Sequence, residues 1–539
     1  MTEPLWTWAD LITATGGAAE GEAHGGITGV SIDTRTLQPG DLFVALRGDT
    51  QDGHAYVGKA FEKGAAAALV AADFVTPSLG GFSVPSPHRG EGQGEGAMGS
   101  PSVPIQPNPL ILSLSPEGRG DDSIKGAHAG PLIRVSDPLR DPVLVALEKL
   151  GRAARARLSP DARIIAVTGS AGKTSTKEML KVCLLSVDPH THASEKSYNN
   201  HWGVPLTLAR MPKDTRYGVF EIGMNHAGEI ALLSPMVRPH VAIITTVGPV
   251  HLGFFKNVEE IADAKAEIFL GLEPGGVAVL NAENAQFQRL RTSAMRANAD
   301  LKTFGEWDEG EEQQSPDYWY ESTGTSSSGE THFDVNFPGG IKRIELAAPG
   351  RHQSMNALAA FAALATIGVD TDRALAVLTK FVAAEGRGAS KAFAIHGEHI
   401  VLVDESYNAN PLSMDAALST MAYRYFTDYS TKRRIAVLGD MRELGDNSSR
   451  LHRELKGPIE RSDVNLVFAC GPFMRELYDL LPETLRGHYA ETSTDLIAPL
   501  LATIAPGDVV MVKGSLGTNM KPIVDALKTH LAGLAAANG

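Results

Sequence analysis

The residues with the clearest chemistry lie within 163–180, R-I-I-A-V-T-G-S-A-G-K-T-S-T-K-E-M-L. Gly169 and Gly172 bracket Ser170 and Ala171, and Lys173, Thr174 and Ser175 follow at once. These residue types at this spacing suit a polyphosphate. The glycines let backbone N–H groups converge on phosphate oxygens, the lysine reaches the terminal phosphates, and the threonine hydroxyl can ligate Mg²⁺. ATP is the ligand this predicts. The spacing is T-G-x-x-G-K-T, shorter than G-x-x-x-x-G-K-[ST], because Val167 stands where the longer form has its first glycine. The alternative is a Gly-rich strand-to-helix turn that carries an exposed lysine.

Such a loop works only when a strand feeds it and a helix leaves it, because the helix N-terminus then adds its partial positive charge. Ile164, Ile165 and Val167 supply a β-branched run before the loop, and Met179, Leu180, Val182 and Leu184 a helical pattern after it. Two further apolar runs, 218–222 and 241–247, read as parallel strands covered on both faces. Each ends in polar chemistry, Glu221 in E-I-G-M-N-H-A-G-E and His251 in T-V-G-P-V-H-L-G-F-F. Ligands of open parallel sheets collect beyond the carboxyl ends of the strands. Glu221 is therefore a candidate Mg²⁺ ligand and His251 a metal or phosphate contact; otherwise Glu221 caps the next helix and His251 is a satisfied loop histidine. In the helix expected over 258–272, Ile261, Lys265 and Phe269 share a face. A lysine there either snorkels to water or sits in a dry site with a depressed pKa, able to react or be modified. Asn281 ends a further short strand, and G-R-H-Q-S-M-N, ending at Asn356, opens an Ala-rich helix.

The rest of the chain sets the frame. At 539 residues it is too long for one core, and three domains are expected. A hydrophobic content of 43% and a charged content of 21% are those of an ordinary soluble α/β protein. A formal charge of −14 argues against broad nucleic-acid or anionic-membrane binding, so anionic ligands need local sites. Cys183 and Cys470 lie far apart in apolar surroundings and read as buried free thiols. The first residues lack the basic-then-apolar order of a secretory signal. The longest uncharged apolar run, 356–369, is shorter than a membrane span. A cytoplasmic enzyme is expected.

Residues 1–77 read as a small α/β domain, with strands at Val30–Ile32 and Leu42–Leu46 around a turn at Pro39-Gly40 and a helix over 55–64. Its polar cluster Ser31, Asp33, Thr34 and Arg35, with Asp52-Gly53-His54, suits either a sugar nucleotide or plain turn and capping duty. Residues 80–130 are Gly, Pro and Ser-rich without periodicity and read as a dispensable disordered insertion. A strand at 132–135 and a helix over 143–158 then lead to the loop. Residues 300–346 are polar and strand-like. From about 385, D-E-S-Y-N-A-N-P, G-D-M-R-E-L-G and V-K-G-S each follow an apolar strand, which predicts a second doubly wound sheet. The fold class is α/β in three domains: a small N-terminal domain over 1–158, a central phosphate-loop parallel-sheet domain over 159–384 and a Rossmann-like C-terminal domain over 385–539.

Taken in order, T-G-S-A-G-K-T, E-I-G-M-N-H-A-G-E, the His251 segment, D-A-K-A-E-I-F, G-R-H-Q-S-M-N-A-L-A and D-E-S-Y-N-A-N-P resemble the Mur ligase family, ATP-dependent amino-acid and peptide ligases of peptidoglycan synthesis. The resemblance covers nearly the whole chain apart from 80–130 and about 306–330. Y-N-N-H-W-G-V-P-L-T-L, Y-N-A-N-P and G-D-M-R-E-L-G most resemble members that add D-alanyl-D-alanine to UDP-N-acetylmuramoyl-tripeptide, and the D-N-P-R segment of the diaminopimelate-adding member is absent. A monomer is expected, and the resemblance implies a UDP-sugar site around Ser31, Asp33, Thr34 and Arg35, ATP on the central domain and the dipeptide on the C-terminal domain. It implies that Lys173, Lys265 and His251 serve the reaction itself, Lys265 as a carbamate. Two Mg²⁺ ions would be held by Thr174, Glu221, His251 and Lys265. Asn281, Asn356, Arg387 and Asp404 would lie near the nucleotide, and Asn199, Asn200, Asn408 and Asn410 would face substrates. Another ligase of the superfamily, adding a different amino acid or glutamate to a folate, and a phosphate-loop ATP switch without ligation remain open at this point.

Overall fold

The computed structural model describes residues 3–23, 25–48, 51–75, 130–195, 198–308, 315–325, 331–428 and 432–538. The expected insertion over 80–130 lies outside these, apart from Gly130. The chain forms two compact units, Met1–Arg157 with Leu208–Lys213, and Leu158–Thr207 with Asp214–Gly539.

In the first unit β1 (Ala18–Glu20), β2 (Gly29–Ser31), β3 (Asp41–Val44), β4 (Ala67–Ala71) and β5 (Leu132–Val135) form a sheet in the order β1-β5-β4-β3-β2. All neighbours are parallel except β1 with β5. The segment Leu208–Lys213 is anchored here by Trp6, whose Nε1 donates to Ala209 O at 2.8 Å, and by Arg157, which stacks on Trp6 and donates to Met211 O at 2.8 Å. The helix expected over 55–64 begins as a 3₁₀ turn at Gly53–Tyr56 before Val57–Glu62. His54 explains the break. Its Nε2 accepts from Ala71 N at 2.9 Å and its Nδ1 lies 2.6 Å from Asp52 Oδ1, so the ring staples the turn to β4.

The second unit carries two sheets. β6 (Arg163–Thr168), β7 (Thr191–Ala193), β8 (Tyr217–Glu221), β9 (Val241–Ile244), β10 (Val277–Asn281), β11 (Asp300–Glu306) and β12 (Tyr318–Tyr320) are parallel in the spatial order β12-β11-β10-β9-β6-β8-β7. The polar stretch that follows, expected as strand-like, turns antiparallel. β13 (Gly324–Thr325), β14 (Thr331–Phe337) and β15 (Gly340–Leu346) continue the sheet, with β14 pairing β12, β13 and β15. Their alternation of buried and exposed residues is that of a sheet with one wet face. The apolar run that is too short for a membrane span lies in the helix Arg351–Thr366, buried from Gln353 to Leu364. Among the described residues no helix is long and apolar enough to cross a membrane.

The last sheet consists of β16 (Ala389–Ile395), β17 (Glu398–Glu405), β18 (Arg433–Gly439), β19 (Leu466–Cys470), β20 (Arg486–Ala490) and β21 (Asp508–Lys513), in the order β16-β17-β21-β18-β19-β20, parallel apart from the β16–β17 hairpin. Alternate residues enter opposite apolar layers: Val401, Val403, Ala436 and Leu438 face one core, Ile400, Leu402, Ile435 and Val437 the other. Both faces are covered, as a doubly wound sheet requires. Both cysteines are buried, Cys183 in the core behind the phosphate loop and Cys470 at the end of β19 with Sγ 3.6 Å from Met520 Sδ.

Phe361 ties the helix Arg351–Thr366 to the antiparallel extension, meeting Tyr318 and Phe337 edge-to-face with centroids 5.5 and 5.0 Å apart. Phe361→Ala is expected to cost about 3–5 kcal/mol in denaturant unfolding of this unit; a loss below about 1 kcal/mol would show that the extension does not depend on the ring.

Candidate active site

The loop leaves β6 at Thr168 with Gly169 at φ +151° and Gly172 at φ +83°. A Cβ at Gly169 would strike Thr245 Oγ1, and one at Gly172 would strike Asn356 Oδ1, so these two positions need glycine for space as well as conformation. The loop is bolted to the chain leaving β9. Thr245 Oγ1 donates to Ala171 O at 2.5 Å, Ser170 N donates to Thr246 O at 2.8 Å, and Gly248 N donates to Ser170 Oγ at 3.0 Å. The helix Lys173–Val187 then starts with no side chain capping its first-turn N–H groups, which is the arrangement that receives an anion. Lys173 is partly buried and folds back over the loop, with Nζ donating to Gly169 O at 2.7 Å. Burial lowers its pKa and Arg387 adds to that, while Glu221 opposes it. Ser175 occupies the first turn of the same helix.

Behind the loop the buried carboxylate of Glu221, at the end of β8, is gripped on both oxygens. Thr174 Oγ1 donates to Oε2 at 2.9 Å and Asn199 Nδ2 to Oε1 at 2.7 Å. Lys265 is 2% exposed, and no hydrogen bond or ion pair joins its amine to any described residue. Burial holds its pKa well below the usual lysine value, and Lys173 pushes the same way. It shares its buried helix face with Ile261 and Phe269 and does not snorkel. His251 has a left-handed backbone, φ +56°, and its Nδ1 lies 2.5 Å from Glu443 Oε2. Burial lowers its pKa against the pull of Glu443, and Lys265 and Lys173 lower it further.

These groups fit a hard cation in part. Thr174 and Glu221 are adjacent oxygen donors of the kind Mg²⁺ prefers. Among the described residues no three His, Cys, Asp or Glu side chains cluster as a complete metal site, so a cation here needs further oxygens from a ligand or from a modified side chain.

The remaining predicted residues divide by their contacts. Asn281 Nδ2 donates to Thr245 O at 3.3 Å, and Asn356 lies over Gly172 with Nδ2 donating to Gln353 Oε1 at 3.4 Å. Arg387 stacks on Tyr407, 4.1 Å from the ring centroid, and its charge is felt at Lys173. Asn410 Nδ2 donates to Ser170 O at 3.4 Å while its Oδ1 caps Ser413 N, so the C-terminal sheet reaches the phosphate loop. Asp404, at the end of β17, accepts from Ser406 Oγ at 2.6 Å, and its other oxygen is buried without a hydrogen bond, 3.9 Å from Lys528 Nζ. Asn408 O accepts from buried Lys513 Nζ at 3.0 Å. Asn200 caps the following turn, its Oδ1 accepting from Gly203 N at 2.9 Å. In the first unit the segment 31–35 forms a turn that satisfies itself: Ser31 Oγ donates to Asp33 O at 3.1 Å, Asp33 pairs with Arg35 at 2.7 Å, and Thr34 O accepts from Lys63 Nζ at 2.7 Å.

Sequence reasoning missed Thr245, Ser194 and Glu443. Ser194 Oγ accepts from Glu221 N at 3.2 Å and so places the carboxylate. The signal for Thr245 was available, since the Thr245-Thr246 pair interrupts an apolar run where β9 stops.

Residues 167–364 match the Mur ligase middle domain, 393–516 the Mur ligase glutamate ligase domain, and 26–86 the Mur ligase family catalytic domain. The UDP-N-acetylmuramoyl-tripeptide–D-alanyl-D-alanine ligase of Bacillus subtilis is 31% identical over 512 residues, covering 93% of each chain. That of Escherichia coli is 31% identical over 504 residues, covering 93% of this chain and 94% of its own. A crystal structure of MurF from Acinetobacter baumannii superposes with a TM-score of 0.74 at 26% identity, covering 99% of both chains. MurF of Thermotoga maritima in complex with ADP shares the fold, with a TM-score of 0.68 at 21% identity over 94% of this chain and 98% of that one. This chain, with its phosphate loop, gripped carboxylate and buried lysine, is alike nearly end to end to proteins of one kind: it belongs to the Mur ligase family.

Proposed function

We propose that the protein joins D-alanyl-D-alanine to UDP-N-acetylmuramoyl-tripeptide with ATP, completing the nucleotide precursor of peptidoglycan in the cytoplasm. The observation that carries this is the Thr174–Glu221 hydrogen bond directly behind a phosphate loop, with buried Lys265, unpaired among the described residues, close enough to Lys173 to feel its charge. The same activity is named for the Bacillus subtilis and Escherichia coli relatives.

A carboxylate does not yield an amide directly, because its leaving group would be oxide. The terminal carboxylate of the tripeptide attacks the γ-phosphorus of ATP, a C–O–P linkage forms, the β,γ P–O bond breaks, and ADP leaves. The dipeptide amine then attacks the acyl carbon, and the tetrahedral intermediate expels phosphate and loses a proton. The barrier to the first step is the repulsion between two anions. Lys173 and the open N-terminus of the helix Lys173–Val187 hold the β- and γ-phosphates, and Arg387 adds positive charge. Thr174, Glu221 and a carbamate on Lys265, with His251 nearby, would hold Mg²⁺, which would supply charge neutralisation for the phosphoryl transfer. Burial lowers the pKa of the Lys265 amine and so favours its neutral form, which is the form that adds carbon dioxide.

Residues 1–158 take the UDP-sugar through the preformed turn of Ser31, Asp33, Thr34 and Arg35, 159–384 take ATP, and 385–539 take the dipeptide. Asn281, Asn356 and Asp404 border the nucleotide, and Asn199, Asn200, Asn408 and Asn410 border the acceptor and the amine.

Phosphate release by the purified chain is expected to require Mg-ATP, UDP-N-acetylmuramoyl-tripeptide and D-alanyl-D-alanine together. Release without the amine points to an ATP switch, and release with a different amino acid points to another ligase of the superfamily. Lys173→Ala is expected to lower turnover by at least about a thousandfold, as losing a phosphate-clamping cation does, while the thermal unfolding midpoint stays in place. Lys265→Ala is expected to lose activity and regain part of it with added short carboxylates, and the intact wild-type chain to carry one added carbon dioxide. No rescue together with an unmodified lysine defeats the carbamate.

A further inference from the structure

Glu443 lies in the segment after β18, 192 residues beyond His251, yet the two side chains meet at 2.5 Å. The carboxylate can only accept, so the proton between them belongs to Nδ1 of the histidine. The surrounding backbone is docked as closely. Gly253 N donates to Glu443 O at 2.9 Å, and a Cβ on Gly445 would lie 2.8 Å from Gly253 Cα. Leu252 packs against one apolar layer of the C-terminal sheet.

Both partners hold left-handed backbones, φ +56° at His251 and +66° at Glu443, a region that residues other than glycine enter at a cost. The ring is 21% exposed and the carboxylate 30%, so the pair is half-buried. Left-handed backbone on both sides of one close contact fixes where the two side chains meet, which points to a device that places an atom.

We propose that Glu443 is a positioning residue for the ligation: by holding the Nδ1 proton of His251 it keeps Nε2 bare and aimed, and it does so from the C-terminal sheet, so the ring is set only while the two loops are docked. A histidine whose other ring nitrogen serves a metal or phosphate is commonly oriented through such a carboxylate, whose loss costs about 10–100-fold. The role of His251 in the reaction rests on the ligase reading above; its tautomer does not.

The test uses the full chain with ¹⁵N-labelled histidine, His251 being identified by the signal missing in His251→Asn. In the unsubstituted protein Nε2 is expected to resonate as an unprotonated nitrogen and Nδ1 as a protonated one. In Glu443→Ala the ring is expected to move toward the opposite tautomer, with kcat down about 10–100-fold and the KM for ATP little changed. Glu443→Gln, which keeps an acceptor oxygen and the shape of the side chain, should recover most of the tautomer and part of kcat. His251→Asn and the double variant with Glu443→Ala should lose the same activity, because one residue acts through the other. A protonated Nε2 in the unsubstituted protein, an unchanged kcat in Glu443→Ala, or additive losses overturn the proposal. Should the unsubstituted protein release no phosphate with all three substrates, the ligase reading fails, and the tautomer shift still decides whether Glu443 sets the ring.

Discussion

The parallel register of β6, β8, β9 and β10 is the constraint on which the site depends. Val167 pairs with Glu221, Thr168 with Ile244, and Leu280 with Ile244 across the sheet, so the strands end level. Thr174 can reach Glu221, Thr245 can brace Ala171 and Asn281 can touch Thr245 because those ends coincide. A slip of one residue would turn every side chain of the slipped strand to the other face. Both faces here are apolar and covered, so the register is held by side-chain packing in both layers rather than by an apolar–polar alternation.

Charge at this edge is arranged against the grain of the molecule. The chain carries a formal −14, yet Lys265 and Arg387 both stand close enough to Lys173 for their charges to interact, and Glu221 opposes them at Lys173. Repulsion among the cations is relieved when an anion arrives, so local positive charge favours polyphosphate where the global field does not. Burial of Lys265 and Glu221 strengthens the interactions that they make.

The strand, the two glycines and the Lys173-Thr174 pair were legible because their spacing is local and each residue has one physical reason to be there. Lys265 was legible as an anomaly, a charge on an apolar face, and its burial resolves that anomaly. Contacts that close over long separations were not legible. Nothing near His251 in the chain points to Glu443, and nothing near Ser170 points to Asn410. The strand end at Ile244, three residues before the expected end at Val247, is set by Thr245 and Thr246 turning to hold the phosphate loop. The antiparallel extension of β13, β14 and β15 escaped a parallel reading because its alternation is that of a sheet wet on one face. The segment 31–35, which the residues alone left open between ligand binding and turn duty, satisfies its own hydrogen bonds in the folded chain.

Cys183 and Cys470 have thiols pushed up to about 12 by burial. At neutral pH both stay protonated and shielded, so neither competes for electrophiles. The natural sequence is in effect a cysteine-silent background. One thiol placed on an exposed loop beside each of the two sheets of the second unit would take spin labels there alone, and distances across the His251–Glu443 contact become measurable without stripping the native cysteines from two packed cores.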